Sequence, residues 1–98
     1  MEITIGYEGD VARVALDGSL NTNTASELEN ALAPVLDKAA GIIFDFDRLE
    51  YVSSAGLRVL MIAYKKIGPA GEFAIEGASD EVREVFEITG FSDIFELR

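Results

Sequence analysis

Cysteine and histidine are absent from this sequence of 98 residues, and proline occurs only twice. Without cysteine, the chain can form no disulfide bond, no thiol nucleophile and no cysteine-ligated metal site. Without histidine, it lacks the most common general base and the most common metal ligand. An enzyme built on this chain would have to use carboxylates or lysine, and we expect neither a metal site nor a cofactor.

Basic residues are also scarce, since eight Lys and Arg stand against 18 Asp and Glu, for a formal net charge of −10. A surface this acidic repels nucleic acids and anionic membranes, so we expect neither as a partner. No apolar run approaches the length of a membrane span, and the first residues, MEITIGYEGD, are typical of a strand rather than of a signal peptide. We therefore expect a protein of the cytoplasm.

Hydrophobic residues make up 49% of the chain, enough for one modest core, and we expect a single domain over residues 1–98. Apolar residues alternate with polar ones in four segments, which predicts strands at 3–7, 13–17, 42–47 and 73–76. Apolar residues at helical spacing predict three helices, at 24–39, from the serines at 53–54 to Gly68, and at 79–90. At the first helix, Thr24 and Glu27 fit a capping box, and Pro34 is expected to bend the helix or weaken one turn.

The predicted order of elements is β-β-α-β-α-β-α, followed by a short C-terminal helical tail over residues 91–97. Strand-helix-strand units give parallel neighbours with right-handed crossovers. We therefore expect an α/β fold with a four-stranded mixed sheet, in which an N-terminal hairpin is followed by parallel strands. Because each strand keeps only one apolar face, the helices should pack mainly on one side of the sheet.

Two carboxylates in the segment Ile42 to Asp47, IIFDFD, form the first candidate site. An apolar strand ending in Asp45-x-Asp47 resembles the nucleophile motif of haloacid dehalogenase-type phosphatases, which use Mg²⁺. The flanking Arg48-Leu49 departs from that motif, and the chain is too short for that family's other motifs. The alternative is that both carboxylates simply face solvent on the polar side of a half-buried strand.

Charge is distributed unevenly around the second helix. Residues 52–71 contain no Asp or Glu, although even spreading of the 18 acids would place about four there. Arg58, Lys65 and Lys66 lie in the same stretch, and the first two share one helical face. This helix either carries its basic residues by chance or provides a docking surface for an acidic partner.

The stretch YVSSAGLRVL, Tyr51 to Leu60, forms the third candidate site. Ser53 or Ser54 is suited to cap the helix, and Ala55-Gly56 allows a tight turn. A hydroxyl beside the free N–H groups of a helix N-terminus is also well placed to carry a phosphate. Arg58 follows Ser54 by one helical turn and could pair with that phosphate.

The residues Val52-Ser53-Ser54-Ala55-Gly56-Leu57, between a strand and a helix, resemble the signature of bacterial anti-sigma factor antagonists, which form part of the STAS domain family. The order of elements is similar over essentially the whole chain. Gly18-Ser19-Leu20-Asn21 and Thr89-Gly90-Phe91 are similar to two weaker family motifs. The resemblance implies a single STAS-like domain that is a binding module and not an enzyme.

The resemblance further implies that the unphosphorylated protein binds an anti-sigma factor and so releases a sigma factor. The partner would be a serine kinase of the GHKL type that phosphorylates Ser54, and a serine phosphatase of the PP2C type would reset the switch. Ser53 replaces the usual acid before the acceptor and is a conceivable second acceptor, while Asn21 replaces an Asp. From the resemblance and from the basic surface of the second helix together, we predict a set of partner-binding residues: Asn21, Ser53, Ala55, Gly56, Leu57, Arg58 and Lys65.

Some STAS domains are not phosphorylated and act as subunits of transporter, lipid-transfer or signalling assemblies. A serine in this loop is compatible with that alternative as well. A constitutive scaffold would remain bound to its assembly whatever its phosphorylation state. In either case we expect the chain to be a monomer or a weak dimer.

Overall fold

The computed structural model describes residues 1–98, and its strands and helices follow the two kinds of apolar spacing in the sequence. The strands are β1 (Glu2–Glu8), β2 (Val11–Leu20), β3 (Gly41–Val52), β4 (Phe73–Glu76) and β5 (Glu96–Leu97). The helices are α1 (Thr22–Lys38), α2 (Ser54–Ile67) and α3 (Asp80–Thr89), with a 3-10 turn over Phe91–Asp93. The predicted α/β class and the order of elements through α3 are confirmed.

The strands form one mixed sheet in the order β1-β2-β3-β4-β5. β1 and β2 are antiparallel, as expected of a hairpin, and every later pairing is parallel. The prediction of four strands and a helical tail is wrong, because a fifth strand follows the short 3-10 turn. The cause is Phe95, which is 2% exposed and packs its ring 5.2 Å from that of Phe73, so that the residues after it lie along β4.

One face of the sheet carries the core. Alternation places Val14, Phe44 and Ile75 on this face, and each is fully buried in a single cluster with the apolar residues of all three helices. The intervening residues Arg13 and Glu76 lie on the opposite face, which we call the open face, and form an ion pair there. The predicted packing of helices on one side thus agrees with where the core lies.

The start of α1 differs from the prediction. The proposed capping box at Thr24 and Glu27 is wrong, because β2 continues through Leu20 and the helix must begin at once, with Asn21 as its N-cap. The Asn21 Oδ1 accepts hydrogen bonds from the backbone N–H groups of Asn23 at 2.9 Å and Thr24 at 3.0 Å. The Thr24 Oγ1 accepts one from the Asn21 N–H at 2.8 Å, which completes a box one turn earlier than predicted.

The length of β3 decides where the candidate site lies. This strand has 12 residues and runs beside β2 to its end, where Leu20 is the partner of Val52. Two register shifts between β2 and β3 keep the pair together along this length. Because the strands are parallel, their carboxyl ends meet at one edge of the sheet, and α1 and α2 both begin there.

Candidate functional site

The junction of β3 and α2, which we call the serine loop, consists of Val52 at the end of β3, Ser53, and Ser54 at the start of α2. Its backbone is fixed to the neighbouring strand, because the Ser53 N–H donates a hydrogen bond of 2.8 Å to the Leu20 carbonyl oxygen. Asn21, the cap of α1, follows Leu20 directly and is therefore brought beside the serine loop. The structure thus brings together the two loops that the sequence analysis singled out.

The two serines have different surroundings. Ser53 is the N-cap of α2, and its Oγ accepts a hydrogen bond of 3.2 Å from the Gly56 N–H. Ser54 is the first residue of the helix, is exposed, and its hydroxyl makes no hydrogen bond within the chain. The question of which serine caps the helix is therefore answered in favour of Ser53, which leaves the Ser54 hydroxyl free to react.

Gly56 holds the start of α2 close to β2. A Cβ at this position would lie 2.6 Å from the Cγ of Leu20 and 3.2 Å from its carbonyl oxygen, which are both too close. Leu57 is 6% exposed and belongs to the core, while Ala55 is half-buried. Gly56 and Leu57 therefore support the serine loop from the core side, whereas Ser54 and Arg58 are exposed to solvent.

The exposed side of α2, which we call the α2 outer face, consists of Arg58, Ile62, Lys65 and Lys66. None of its three basic residues lies within 4.0 Å of a carboxylate, and none makes a side-chain hydrogen bond. The other basic residues all have partners in the chain, namely carboxylates for Arg13, Arg48 and Arg98, carbonyl oxygens for Arg83 and the Tyr7 ring for Lys38. The α2 outer face is thus the basic surface that the fold itself leaves unused.

Arg58 and Lys65 lie at different distances from the serine loop. Arg58 is one turn beyond Ser54, whereas Lys65 is about 16 Å further along the helix than Ser54, at a rise of about 1.5 Å per residue. Lys65 instead helps to line a groove of about 500 Å³ between α1 and α2, where Glu29 and Asp37 of α1 also lie, beyond 4.0 Å from its ammonium group. Arg58 belongs to the serine loop's surroundings, and Lys65 extends the same basic surface away from it.

The carboxylates of the first candidate site lie away from the serine loop. Asp45 is partly exposed and Asp47 is exposed, and the Asp45 Oδ1 accepts a hydrogen bond of 3.0 Å from the Asp47 backbone N–H. No group of three or more Asp, Glu, His or Cys side chains in residues 1–98 is arranged to hold a metal ion. Both carboxylates line an open cavity of about 300 Å³ together with Asp17 and Arg48, and the Arg48 guanidinium lies 3.8 Å from the Asp17 carboxylate. Their positions agree with the polar side of a half-buried strand.

Two supporting contacts could not be predicted from the sequence, although Leu20 and Thr24 both lie in motifs that it indicated. Leu20 contacts the place where a Cβ of Gly56 would stand, and Thr24 is 9% exposed with its hydroxyl donating to the Ser19 carbonyl oxygen at 2.7 Å. The contact of Leu20 with Gly56 joins two segments that are distant in the chain. The hydrogen bond of Thr24 depends on the residue at which α1 begins. Only the pairing of β2 with β3 reveals them.

The family of the chain follows from its matches to known proteins. The model of the STAS domain family matches residues 4–98. The chain is 38% identical over 97 residues to BtrV of Bordetella bronchiseptica, which is named as a candidate anti-sigma factor antagonist, and the match covers 97% of this chain and 84% of BtrV. The chain therefore belongs to the STAS domain family.

Solved structures share the architecture described above. The crystal structure of an anti-sigma factor antagonist from Mycobacterium paratuberculosis matches with a TM-score of 0.89 at 26% identity, covering 98% of this chain and 83% of that one. SpoIIAA matches in its unphosphorylated form with a TM-score of 0.85 at 18% identity, covering 99% of this chain and 88% of that one. Its phosphorylated form matches with a TM-score of 0.77 at 17% identity, covering 99% and 91%. At these lower identities SpoIIAA shows a common fold.

No helix of the structure combines the length and the apolar character that are needed to cross a membrane.

Proposed function

We propose that this protein is an anti-sigma factor antagonist that binds an anti-sigma factor while unphosphorylated, and that phosphorylation of Ser54 switches it off. The observation that carries the proposal is the exposed Ser54 hydroxyl at the start of a helix whose outer face is basic and unpaired. The names of BtrV and of the mycobacterial structure, both described as antagonists, support the same function. Binding would release the sigma factor for transcription.

A phosphate at Ser54 would act through charge at the partner contact. Phosphorylation adds about 1.5 to 2 negative charges at pH 7, inside the stretch 52–71 that contains no acidic residue. The N–H groups of the first turn of α2 and the guanidinium of Arg58 would stabilise it. Arg58 would then be occupied within the chain, and an acidic partner would meet repulsion where it had met a cation.

The choice of Ser54 over Ser53 rests on their different bonding. Ser53 already holds the N-cap hydrogen bond, so its modification would also disturb the start of α2. Ser54 can carry a phosphate without the loss of any hydrogen bond described in the chain. For the same reason Ser53 suits the position where the family usually has Asp, because both residues are good N-caps.

The partners that follow from this proposal are an anti-sigma factor that is a serine kinase of the GHKL type and a resetting phosphatase of the PP2C type, in the cytoplasm. Asn21, which caps α1 next to the serine loop, and the α2 outer face would form the contact surface. Because Asn21 and Ser53 stand where the family usually has acidic residues, the surroundings of Ser54 carry less negative charge than is usual in the family. We infer that the kinase recognises the serine loop by its shape and by Arg58 more than by a preceding carboxylate.

The direct test is to incubate the protein with its anti-sigma factor and ATP and to locate the phosphate by mass spectrometry. We expect modification of Ser54, abolished by Ser54→Ala and retained by the matched variant Ser53→Ala. That control loses only the cap, at a cost of about 1 kcal/mol. Phosphate found on Ser53 or elsewhere would contradict the assignment, and a complex that forms but ignores phosphorylation would favour the scaffold alternative.

A further inference from the structure

A small cavity adjoins the serine loop on the side of α3. It lies between the end of β3 and the first turns of α3 and has a volume of about 130 Å³. Its lining residues are Glu50, Tyr51, Val52, Glu81, Val82 and Val85. Sites for small molecules and cofactors usually measure about 300 to 1,000 Å³, so this cavity is sized for one side chain of another protein.

The cavity combines an apolar floor with a charged rim. Val52 is 2% exposed and Val82 is 1% exposed, whereas Glu50 and Glu81 are both exposed at its mouth. Neither glutamate lies within 4.0 Å of a basic group of the chain, unlike the glutamates of the open face. Their charges are therefore available to a cation from outside.

Tyr51 supplies an exposed aromatic ring at the same place. The residue is 53% exposed, and its hydroxyl makes no hydrogen bond within the chain. Tyrosine is among the residues that most often dominate the energy of protein–protein contacts. It also lies two positions before Ser53, so the cavity and the serine loop form one continuous surface.

We propose that this cavity receives one arginine or lysine side chain from the protein that binds at the serine loop. The aliphatic stem would pack on the valines, while Glu50 and Glu81 would hold the cationic head and the Tyr51 ring would add a cation–π contact. This inference rests on the proposed function only in that the side chain belongs to the same partner. The surface would then carry opposite charges on its two sides, with the basic α2 outer face on one and this acidic cavity on the other, which fixes the orientation of the partner.

The cavity can be tested without any partner. N-acetyl-arginine N-methylamide is titrated into the labelled protein, and the methyl resonances of Val52, Val82 and Val85 are followed by NMR. The matched control is the citrulline analogue, which has nearly the same shape but no charge. We expect the arginine compound to shift these methyls with an affinity at least about fivefold higher than that of the citrulline compound, and the variant Glu50→Gln/Glu81→Gln to remove that difference. Equal shifts from both compounds, or none from either, would overturn the proposal.

A second measurement separates this inference from the proposed function. Binding of the anti-sigma factor is measured for Glu50→Gln/Glu81→Gln, with the exposed pair Glu84→Gln/Glu87→Gln on α3 as the matched charge control. We expect about a tenfold loss for the first pair and less than about twofold for the second. Equal binding by both variants and by the parent would overturn the cavity site while leaving the Ser54 switch intact. Arginine binding without any binding of the anti-sigma factor would contradict the switch and leave the cavity site standing.

Discussion

The open face of the sheet and the α2 outer face both carry basic residues, but they use them differently. On the open face, Arg13 lies 2.7 Å from Glu76 and Arg98 lies 2.6 Å from Glu96. The hydrogen bond that Arg13 donates to Glu76 raises the pKa of Arg13, and those that Arg98 donates to Glu72 and Glu96 raise the pKa of Arg98. On α2, Arg58, Lys65 and Lys66 have no such partners.

This difference separates cations that hold the fold from cations that are free to bind. With 18 acids and eight basic residues in the chain, a basic residue without an acidic neighbour runs against the composition. The three on α2 stay free because residues 52–71 contain no acid, and neighbouring elements supply none within 4.0 Å. We infer that the open face contributes to stability, and that the α2 outer face contributes to binding.

The largest effect should come from a change that weakens both the stability of the fold and the binding of the anti-sigma factor. Gly56→Ala would place a Cβ 2.6 Å from the Cγ of Leu20, a residue that is fully buried in the core. We expect a loss of about 1–3 kcal/mol in the free energy of unfolding, together with weaker binding of the anti-sigma factor. The measurements are urea denaturation and calorimetric titration.

Gly6→Ala is the matched control for this change. Gly6 lies in β1, and a Cβ there would meet no atom within 4 Å. We expect no loss of stability and no loss of binding from this variant. If Gly56→Ala were as stable as Gly6→Ala, the close approach of α2 to Leu20 would not matter to the fold.

The next effect should concern binding alone. Arg58→Glu reverses a free charge one turn beyond Ser54, and we expect at least about tenfold weaker binding of the anti-sigma factor with an unchanged free energy of unfolding. Arg48→Glu is the matched control, because the Arg48 side chain is 81% exposed and its only ion pair is a contact of 3.8 Å with Asp17. Similar losses for both variants would mean that net charge, and not the α2 outer face, governs binding.

The smallest effect should concern stability alone. Arg98→Gln removes the ion pairs with Glu72 and Glu96 at the end of β5 but leaves the backbone pairing in place. Exposed ion pairs contribute little, so we expect the midpoint of thermal unfolding to fall by no more than about 5 °C. Binding of the anti-sigma factor should not change, and a clear loss of affinity would show that the open face also takes part in the contact.

Much of this arrangement could be predicted from local patterns. Alternating and helical spacing of apolar residues predicted β1 to β4 and all three helices, and the third predicted helix, at 79–90, ends in the structure at its C-cap Gly90, which has a φ of 82°. The serine loop could be predicted because a strand, a cap and a tight turn follow one another directly. Each of these signals lies within a few residues of the element that it predicts.

The remainder depended on contacts between distant segments. β5 has only two residues, too few to show alternation, and it forms because Phe95 enters the core. The cap of α1 was misplaced because Thr24 and Glu27 fit the pattern in isolation, whereas the length of β2 requires Asn21. Which serine caps α2 could likewise not be predicted, because the pairing of β3 with β2 decides that Ser53 is the residue whose Oγ accepts a hydrogen bond from the Gly56 N–H.

The most direct test of the central claim is the affinity of the anti-sigma factor for the protein phosphorylated on Ser54, beside the unphosphorylated protein and Ser53→Asp. The aspartate keeps the N-cap and adds charge one residue away, so it serves as the matched control. The account predicts at least about tenfold weaker binding for the phosphorylated protein and less than about threefold for Ser53→Asp. Unchanged affinity on phosphorylation of Ser54, or an equal loss for Ser53→Asp, would contradict it.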